Sequence, residues 1–253
     1  MVITMHPTNR RDFIMKAVQE EGKVDINELS DELNVSAMTI RRDLVQLEED
    51  GKLIRTHGGA VLPKPLITET PFSTKQSRQT EQKKLIAKKT LPLIKAGQTI
   101  ILDSGTTTLE LARLLASRDD ITVITNDIKI AAELIDSQLK VLVAGGELQN
   151  NVGALYGPQT HQFLKNIHVD TFFLGAHAID MEAGITSPTF EKSLIKQLMI
   201  EAAETTWLVA DSSKFEQKAF SKVCDFDQLS GFVTDEDISD DRNEQLSSRI
   251  KII

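Results

Sequence analysis

Six consecutive residues, Asp103, Ser104, Gly105, Thr106, Thr107 and Thr108, combine a carboxylate, a glycine and four hydroxyls. A loop of small residues lets backbone N–H groups point at an anion. The hydroxyls add donors, and a helix opening behind the loop adds partial positive charge. The chemistry this favours is oxyanion binding. No Gly-Lys-Ser/Thr follows, so the loop is neither a Walker loop nor a dinucleotide fingerprint. A plain turn capped by serine or threonine competes for the same residues. Further polar or glycine positions lie at Asn126, Gly145, Gly146, Gly175, His177, Asp211 and Lys214. Lys214 offers a cation for phosphate, and Asp103 or Asp211 an acceptor for sugar hydroxyls; each taken alone also reads as an ordinary loop residue. A second set lies near the N-terminus: Ser36, Met38, Thr39, Arg41 and Arg42. Arginine can bond two acceptors of guanine at once, and hydroxyls can reach phosphate.

The elements that must position the first set alternate in type. Apolar runs at 99–103, 121–125, 140–144, 171–175, 206–210 and 231–234 read as strands, with helical stretches at 109–115, 128–135 and 191–204 between them. Near-continuous Val/Ile/Leu strands alternating with helices predict an α/β domain with a mostly parallel sheet covered on both faces. Ligands of such sheets sit where several strand ends converge, which is where the polar positions fall.

The second set belongs to three helices and a hairpin over 9–60. Asp25 can cap the second helix, with Glu28 reaching back. Asn34 suits a tight left-handed turn, and Ser36 can cap the third helix. In that helix Ile40, Leu44 and Leu47 share one buried face, which leaves Ser36, Thr39, Arg41 and Arg42 outward. Residues 52–57 read as a strand, Gly58-Gly59 as a turn and 60–62 as the return. This is a winged helix-turn-helix, in which the third helix enters the major groove and Arg55 and His57 lie along the sugar-phosphate backbone. Spacing alone leaves open an ordinary three-helix packing module. Residues 61–74 carry Pro63, Pro65 and Pro71 and read as a linker. The predicted domains are therefore 1–60 for DNA, 61–74 as linker and 75–253 as the α/β domain.

Composition bounds the rest. Over 253 residues the net charge is −8, which weighs mildly against nucleic acid. Residues 1–60 hold eight Lys/Arg against eleven Asp/Glu. Placement offsets the sum, because Arg41 and Arg42 open the third helix while Glu48, Glu49 and Asp50 close it. The single cysteine, Cys224, excludes an internal disulfide and weighs against structural zinc. No apolar run approaches the roughly 20 residues of a membrane span. The chain reads as cytoplasmic, with no membrane partner, metal or cofactor.

Val35-Ser36-Ala37-Met38-Thr39-Ile40-Arg41-Arg42-Asp43-Leu44, then Leu47-Glu48 and Arg55-Thr56-His57-Gly58-Gly59-Ala60, resembles the signature of the DeoR family of transcriptional regulators. The resemblance continues through Leu-Asp-Ser-Gly-Thr-Thr, Val-Ile-Thr-Asn, Ala-Gly-Gly and Ala-Asp-Ser-Ser-Lys-Phe. It implies a DNA-binding module, usually repressing a sugar-utilisation operon. It also implies a sensor domain similar in fold to ribose-5-phosphate isomerase and glucosamine-6-phosphate deaminase. A phosphorylated sugar or polyol bound by residues 104–108 would be the effector. His177 and Ala178 depart from the small or acidic residue and glycine more usual there. The implied partners are double-stranded operator DNA, the effector and further copies of the chain, as dimer or tetramer. The alternative is a sugar-phosphate isomerase with a DNA-binding tail. The related isomerases carry an Asp-Gly-Ala-Asp-Glu element where this chain reads Leu174-Gly175-Ala176-His177-Ala178, which leaves Asp180 as an isolated carboxylate. The expectation is a regulator and not an enzyme.

Overall fold

The computed structural model describes residues 7–50, 52–56, 58–62 and 66–253. The chain divides into two units, one ending at Pro65 and the other beginning at Leu66. The first unit runs α1 (Pro7–Glu21), β1 (Lys23–Asp25), α2 (Ile26–Glu32), α3 (Ala37–Glu49), β2 (Ile54–Arg55) and β3 (Gly59–Val61). Asp25 caps α2 by accepting the N–H groups of Asn27 at 2.7 Å and Glu28 at 3.3 Å. Asn34 takes the left-handed backbone (φ 49°) that separates α2 from α3. Ser36 then caps α3 through the Thr39 N–H at 3.2 Å. Ile40, Leu44 and Leu47 pack with Ile14, Val18, Ile26 and Leu29 in one core. The satisfied caps fix where α2 and α3 begin, and the apolar period packs them with α1.

The wing differs from the sequence expectation. The strand expected over 52–57 is only Ile54–Arg55, and β3 is shared with a strand that the sequence did not reveal, in the order β1-β3-β2. Lys23-Val24-Asp25 is too short to show a period; pairing with β3 defines it. A Cβ on Gly59 would lie 1.7 Å from the Val24 carbonyl oxygen, so only glycine permits this approach. His57 lies outside the described residues.

The second unit runs α4 (Phe72–Ser77), α5 (Thr80–Thr90), β4 (Thr99–Leu102), α6 (Thr106–Leu115), β5 (Thr122–Thr125), α7 (Ile128–Glu133), β6 (Lys140–Val143), β7 (Glu147–Leu148), β8 (Leu155–Tyr156), α8 (Pro158–Lys165), β9 (Val169–Gly175), β10 (Ala178–Asp180), β11 (Gly184–Ser187), α9 (Phe190–Ala202), β12 (Ala203–Val209), β13 (Ser221–Cys224), β14 (Gly231–Val233) and α10 (Asp240–Ser247). The main sheet is parallel throughout, in the order β14-β12-β9-β4-β5-β6. Alternate residues feed two cores: Ile101, Phe172 and Leu174 face one layer, Ile100, Leu102 and Phe173 the other. That burial on both faces explains why the strands read as continuous apolar runs. The chain builds outward from β4 through β5 to β6, then returns to place β9, β12 and β14 on the other side. The strand order reverses between β4 and β9, and the crevice at their carboxyl ends is the site such sheets use.

The predicted linker needs correction. Val61 belongs to β3, and residues 66–74 belong to the second unit. Phe72 is buried in the core with Ile86 and Leu111, and Glu69 pairs with Lys75 and Lys192. The prolines mark an irregular backbone, but contacts distant in sequence hold it down.

Candidate functional site

On the first unit the exposed side of α3 carries Ser36, Met38, Arg41 and Arg42, with Thr39 half-buried beside them. Ser36 and Thr39 share a hydroxyl–hydroxyl hydrogen bond at 2.9 Å. Behind this face lies a pair that the sequence did not announce. Asp43 is buried, and its two oxygens take Nε and Nη2 of Arg10 from α1, the latter at 3.1 Å. This fork ties the helix bearing Arg41 and Arg42 to α1 with fixed geometry. The acids closing α3 do not simply point away. Glu48 accepts the backbone N–H of Arg55 at 2.9 Å and its Nε at 2.7 Å, and these bonds hold the Glu48 carboxyl below its ordinary range. Arg55 is thereby fixed to the end of α3.

On the second unit β4 delivers Asp103 to the switch point and β9 delivers Gly175. One Asp103 oxygen accepts the Gly175 N–H at 2.9 Å and pairs with Lys196, whose ammonium also reaches the Gly175 carbonyl at 2.8 Å. Ser104 donates its hydroxyl to Asp127 at 2.6 Å, while the other Asp127 oxygen caps α7 through the Lys129 N–H at 2.7 Å. Burial raises the Asp127 carboxyl above its ordinary range. Thr108 turns its hydroxyl inward to the carbonyls of Asp103 at 2.7 Å and Gly105 at 2.9 Å, which makes it a turn-forming residue. Gly105 is extended (φ 178°), a conformation open to any residue, so its small size matters for access. No side chain caps α6, which opens at Thr106 and Thr107 with its first N–H groups at this end of the sheet.

Asp103, Ser104 and Asn126 line one cleft together with Tyr156, Lys192 and Lys196, and Leu155 and Ile195 supply apolar wall. Asn126 donates to the Leu155 carbonyl at 3.0 Å, and its Oδ1 is buried with no hydrogen-bond partner. That oxygen is a buried acceptor whose hydrogen bond is left unmade within the chain. Gly175 joins through its bonds to Asp103 and Lys196. His177 is close enough to Glu69, Lys192, Lys75 and Lys214 to feel their charges; burial first, and then the lysines, pull its pKa down to about 4. Burial likewise pulls Lys192 down to about 8, aided by Lys75 and opposed by Glu69.

Of the expected contacts, Asp103, Ser104 and Asn126 line the cleft; the other ten, Gly105, Thr106, Thr107, Thr108, Gly145, Gly146, Gly175, His177, Asp211 and Lys214, do not. Gly145 accepts the Thr160 hydroxyl at 2.6 Å, and a Cβ on Gly146 would lie 2.3 Å from the Tyr156 carbonyl oxygen, so both pack against the strand and helix beyond them. Asp211 caps the turn Ser212–Lys214 through the Ser213 N–H at 3.2 Å, and Lys214 ends that turn. Sequence reasoning missed Lys192, Lys196 and Glu69. The available signal was two lysines spaced i, i+4 among the buried Ser193, Ile195 and Met199 of α9; a cation on a buried helix face requires an anionic partner.

The depressed His177 pKa sets a pH dependence. The folded protein binds that proton less readily than the unfolded chain, so this contribution is complete above pH 6.5 and disappears as pH falls toward 4. His177→Gln is expected to remove on the order of 3 kcal/mol of acid destabilisation across that window. Urea unfolding of both proteins at pH 7 and pH 4.5 checks it; equal losses for the two would refute the assignment.

A helix-turn-helix reader joined to a parallel α/β unit with a cationic cleft at its switch point defines a ligand-responsive transcriptional regulator. The DeoR-like helix-turn-helix domain matches residues 10–65 and the DeoR C terminal sensor domain residues 78–236. The chain belongs to the DeoR family. It is 34% identical over 244 residues to the HTH-type transcriptional regulator GlpR of Haloferax volcanii, covering 96% of each chain. It is 32% identical over 232 residues to the glycerol-3-phosphate regulon repressor of Escherichia coli K12, covering 91% of this chain and 92% of that one. Among solved structures, ribose 5-phosphate isomerase A from Methanocaldococcus jannaschii overlaps 54% of each chain at 17% identity, with a TM-score of 0.41. Among the described residues no helix is long and apolar enough to cross a membrane.

Proposed function

We propose that this chain represses a sugar or polyol utilisation operon and releases it when a phosphorylated sugar or polyol occupies the cleft at the β4–β9 switch point. The observation that carries the reading is the cleft itself: Lys192 and Lys196 stand beside Ser104 and the uncapped N-terminus of α6. Cations, hydroxyls and free helix N–H groups are what a phosphate needs. Asn126 Oδ1, buried and unpartnered, suits a hydroxyl of the carbon skeleton. The proposal puts the phosphate toward Thr106 and Thr107, which open α6, and the polyol toward His177, neutral near pH 7. The carboxylates at the cleft are engaged by lysines, Asp103 by Lys196 and Glu69 by Lys75 and Lys192, which disfavours either as a base for proton abstraction.

A thermal-shift screen of sugar phosphates against their unphosphorylated parents tests it. A ligand that binds only the folded state at a hundred times its Kd adds about 2.7 kcal/mol. Phosphorylated compounds are expected to raise the melting temperature and the free sugars to leave it unchanged. Equal shifts for both members of each pair would remove the phosphate argument.

For DNA, the proposal assigns base and phosphate contacts to Ser36, Met38, Thr39, Arg41 and Arg42, with Arg55 and His57 on the flanking backbone. Replacing Arg41 or Arg42 with Ala is expected to cost about 1–3 kcal/mol of operator affinity and to flatten its dependence on salt. Footprinting of the double variant with undiminished protection would show that another surface reads the operator. One small reader spans a short half-site, so the chain acts as a cytoplasmic homo-oligomer on repeated half-sites, which sedimentation of the DNA complex reads directly.

A further inference from the structure

Glu69 lies in the stretch that the prolines suggested was a linker, yet its carboxylate is held at the wall of the cleft. Oε1 lies 3.1 Å from Lys75 Nζ and Oε2 lies 2.5 Å from Lys192 Nζ. The three side chains are only 14–19% exposed. Lys192 also lines the cleft with Ser104 and Lys196. A buried ammonium without an anion is costly, and Glu69 supplies the anion from within the chain.

Residues 66–71, which carry Glu69, form neither helix nor strand. The strap is fastened at both ends. The Phe220 N–H donates to the Leu66 carbonyl at 3.0 Å, and the Phe72 N–H donates to the Asn151 carbonyl at 2.9 Å. Phe72 is buried in the core, with Lys129 Nζ 4.3 Å from the centre of its ring. Beyond α4 the buried Lys83 ammonium holds the carbonyls of Lys75 and Arg78. Between these anchors, Glu69 provides the charged attachment.

We propose that Glu69 is a resident competitor for the effector phosphate: an arriving dianion takes Lys192 from it and lets the strap at 66–71 leave the cleft wall. Charge balance gives the reason. Lys75, Lys192 and Lys196 face Glu69 and Asp103, a network with one excess positive charge. A phosphate dianion turns that into one excess negative charge, and expelling Glu69 restores neutrality. Asp103 stays, because it is the more deeply buried of the two and is also bonded to the Gly175 N–H. The strap continues into the chain of the DNA-binding unit, so its two positions give the effector a differential contact through which to bias operator affinity. The proposal rests on the sugar-phosphate reading of the cleft.

The test uses the full-length chain with inorganic phosphate as probe. Calorimetry measures affinity, and amide hydrogen exchange follows the strap through the N–H groups that fasten its two ends, those of Phe220 and Phe72. Saturating phosphate is expected to speed exchange in the strap of the unaltered protein. Glu69→Gln is expected to exchange fast there without phosphate and to bind phosphate about tenfold more tightly. Phosphate that binds both proteins while strap exchange stays slow in the unaltered one overturns the displacement and leaves the cleft reading intact. Phosphate that binds neither removes the cleft reading and the proposal with it. The exchange measurement on the unaltered chain decides the point even if Glu69→Gln fails to fold.

Discussion

Asp43→Ala is expected to destabilise the DNA-binding unit by about 3–5 kcal/mol, because it leaves the Arg10 guanidinium buried without its carboxylate. Arg10 and Asp43 are each only 6% exposed, so water cannot replace the lost partner. The loss takes up much of the stability of a small module. Asp43→Asn keeps a hydrogen-bond acceptor but no charge, and is expected to fall between the two. The lone tryptophan, Trp207, lies on β12 of the sensor, so two probes separate the units. Far-ultraviolet circular dichroism of a urea titration should show helix loss at lower denaturant in Asp43→Ala, while the Trp207 fluorescence transition stays in place. If both transitions coincide with those of the unaltered protein, the fork does not hold α3. Because the Asp43 carboxylate is engaged with Arg10 and is not among the side chains proposed to meet DNA, any loss of operator binding should track the unfolded fraction.

Lys196→Met is expected to act on the sensor with comparable size. It retains the apolar stem and removes the ammonium that joins Asp103 to the Gly175 carbonyl. Asp103 would then be a buried carboxylate with the Gly175 N–H as its remaining hydrogen-bond partner in this group. A cost of about 3–5 kcal/mol follows, read this time by Trp207 fluorescence. Asp103→Asn with Lys196→Met removes both charges, so the double variant should lose less than the two single losses added together, a coupling of about 0.5–3 kcal/mol. Strict additivity would mean that the two side chains do not depend on each other. Phosphate binding should be weakened in both variants that lack Lys196, whatever their stability, since the cleft then holds one cation fewer.

Both predictions turn on partners far apart in sequence, and that separates what the chain announces from what folding decides. The DNA-binding unit is legible because its signals are local. Asp25 and Ser36 cap the helices they precede, Asn34 takes the left-handed turn between α2 and α3, and Ile40, Leu44 and Leu47 share a face within a single helix. The parallel sheet is legible for a related reason: burial on both faces writes itself as apolar runs, such as Thr99–Leu102 and Thr122–Thr125. The small-residue loop after β4 is where the proposal places the anion, because a backbone that approaches a ligand needs small side chains. What no local pattern carries is pairing. Arg10 finds Asp43, Arg55 finds Glu48, Asp103 finds Lys196 and Glu69 finds Lys192 only when packing has brought their elements together. The prolines at 63, 65 and 71 signal a break in regular structure, which is correct. They say nothing of where that backbone lies, because proline fixes a dihedral angle and not a contact. The three helices of the reader, the strands of the parallel sheet and the sheet end where the proposal places the ligand were therefore legible in sequence, whereas β1 and the course of residues 66–74 were not. Which charges face the ligand, which are already neutralised, and which stretch of chain leans on the cleft were settled by tertiary structure, because a buried charge is stable only beside a partner that the fold supplies.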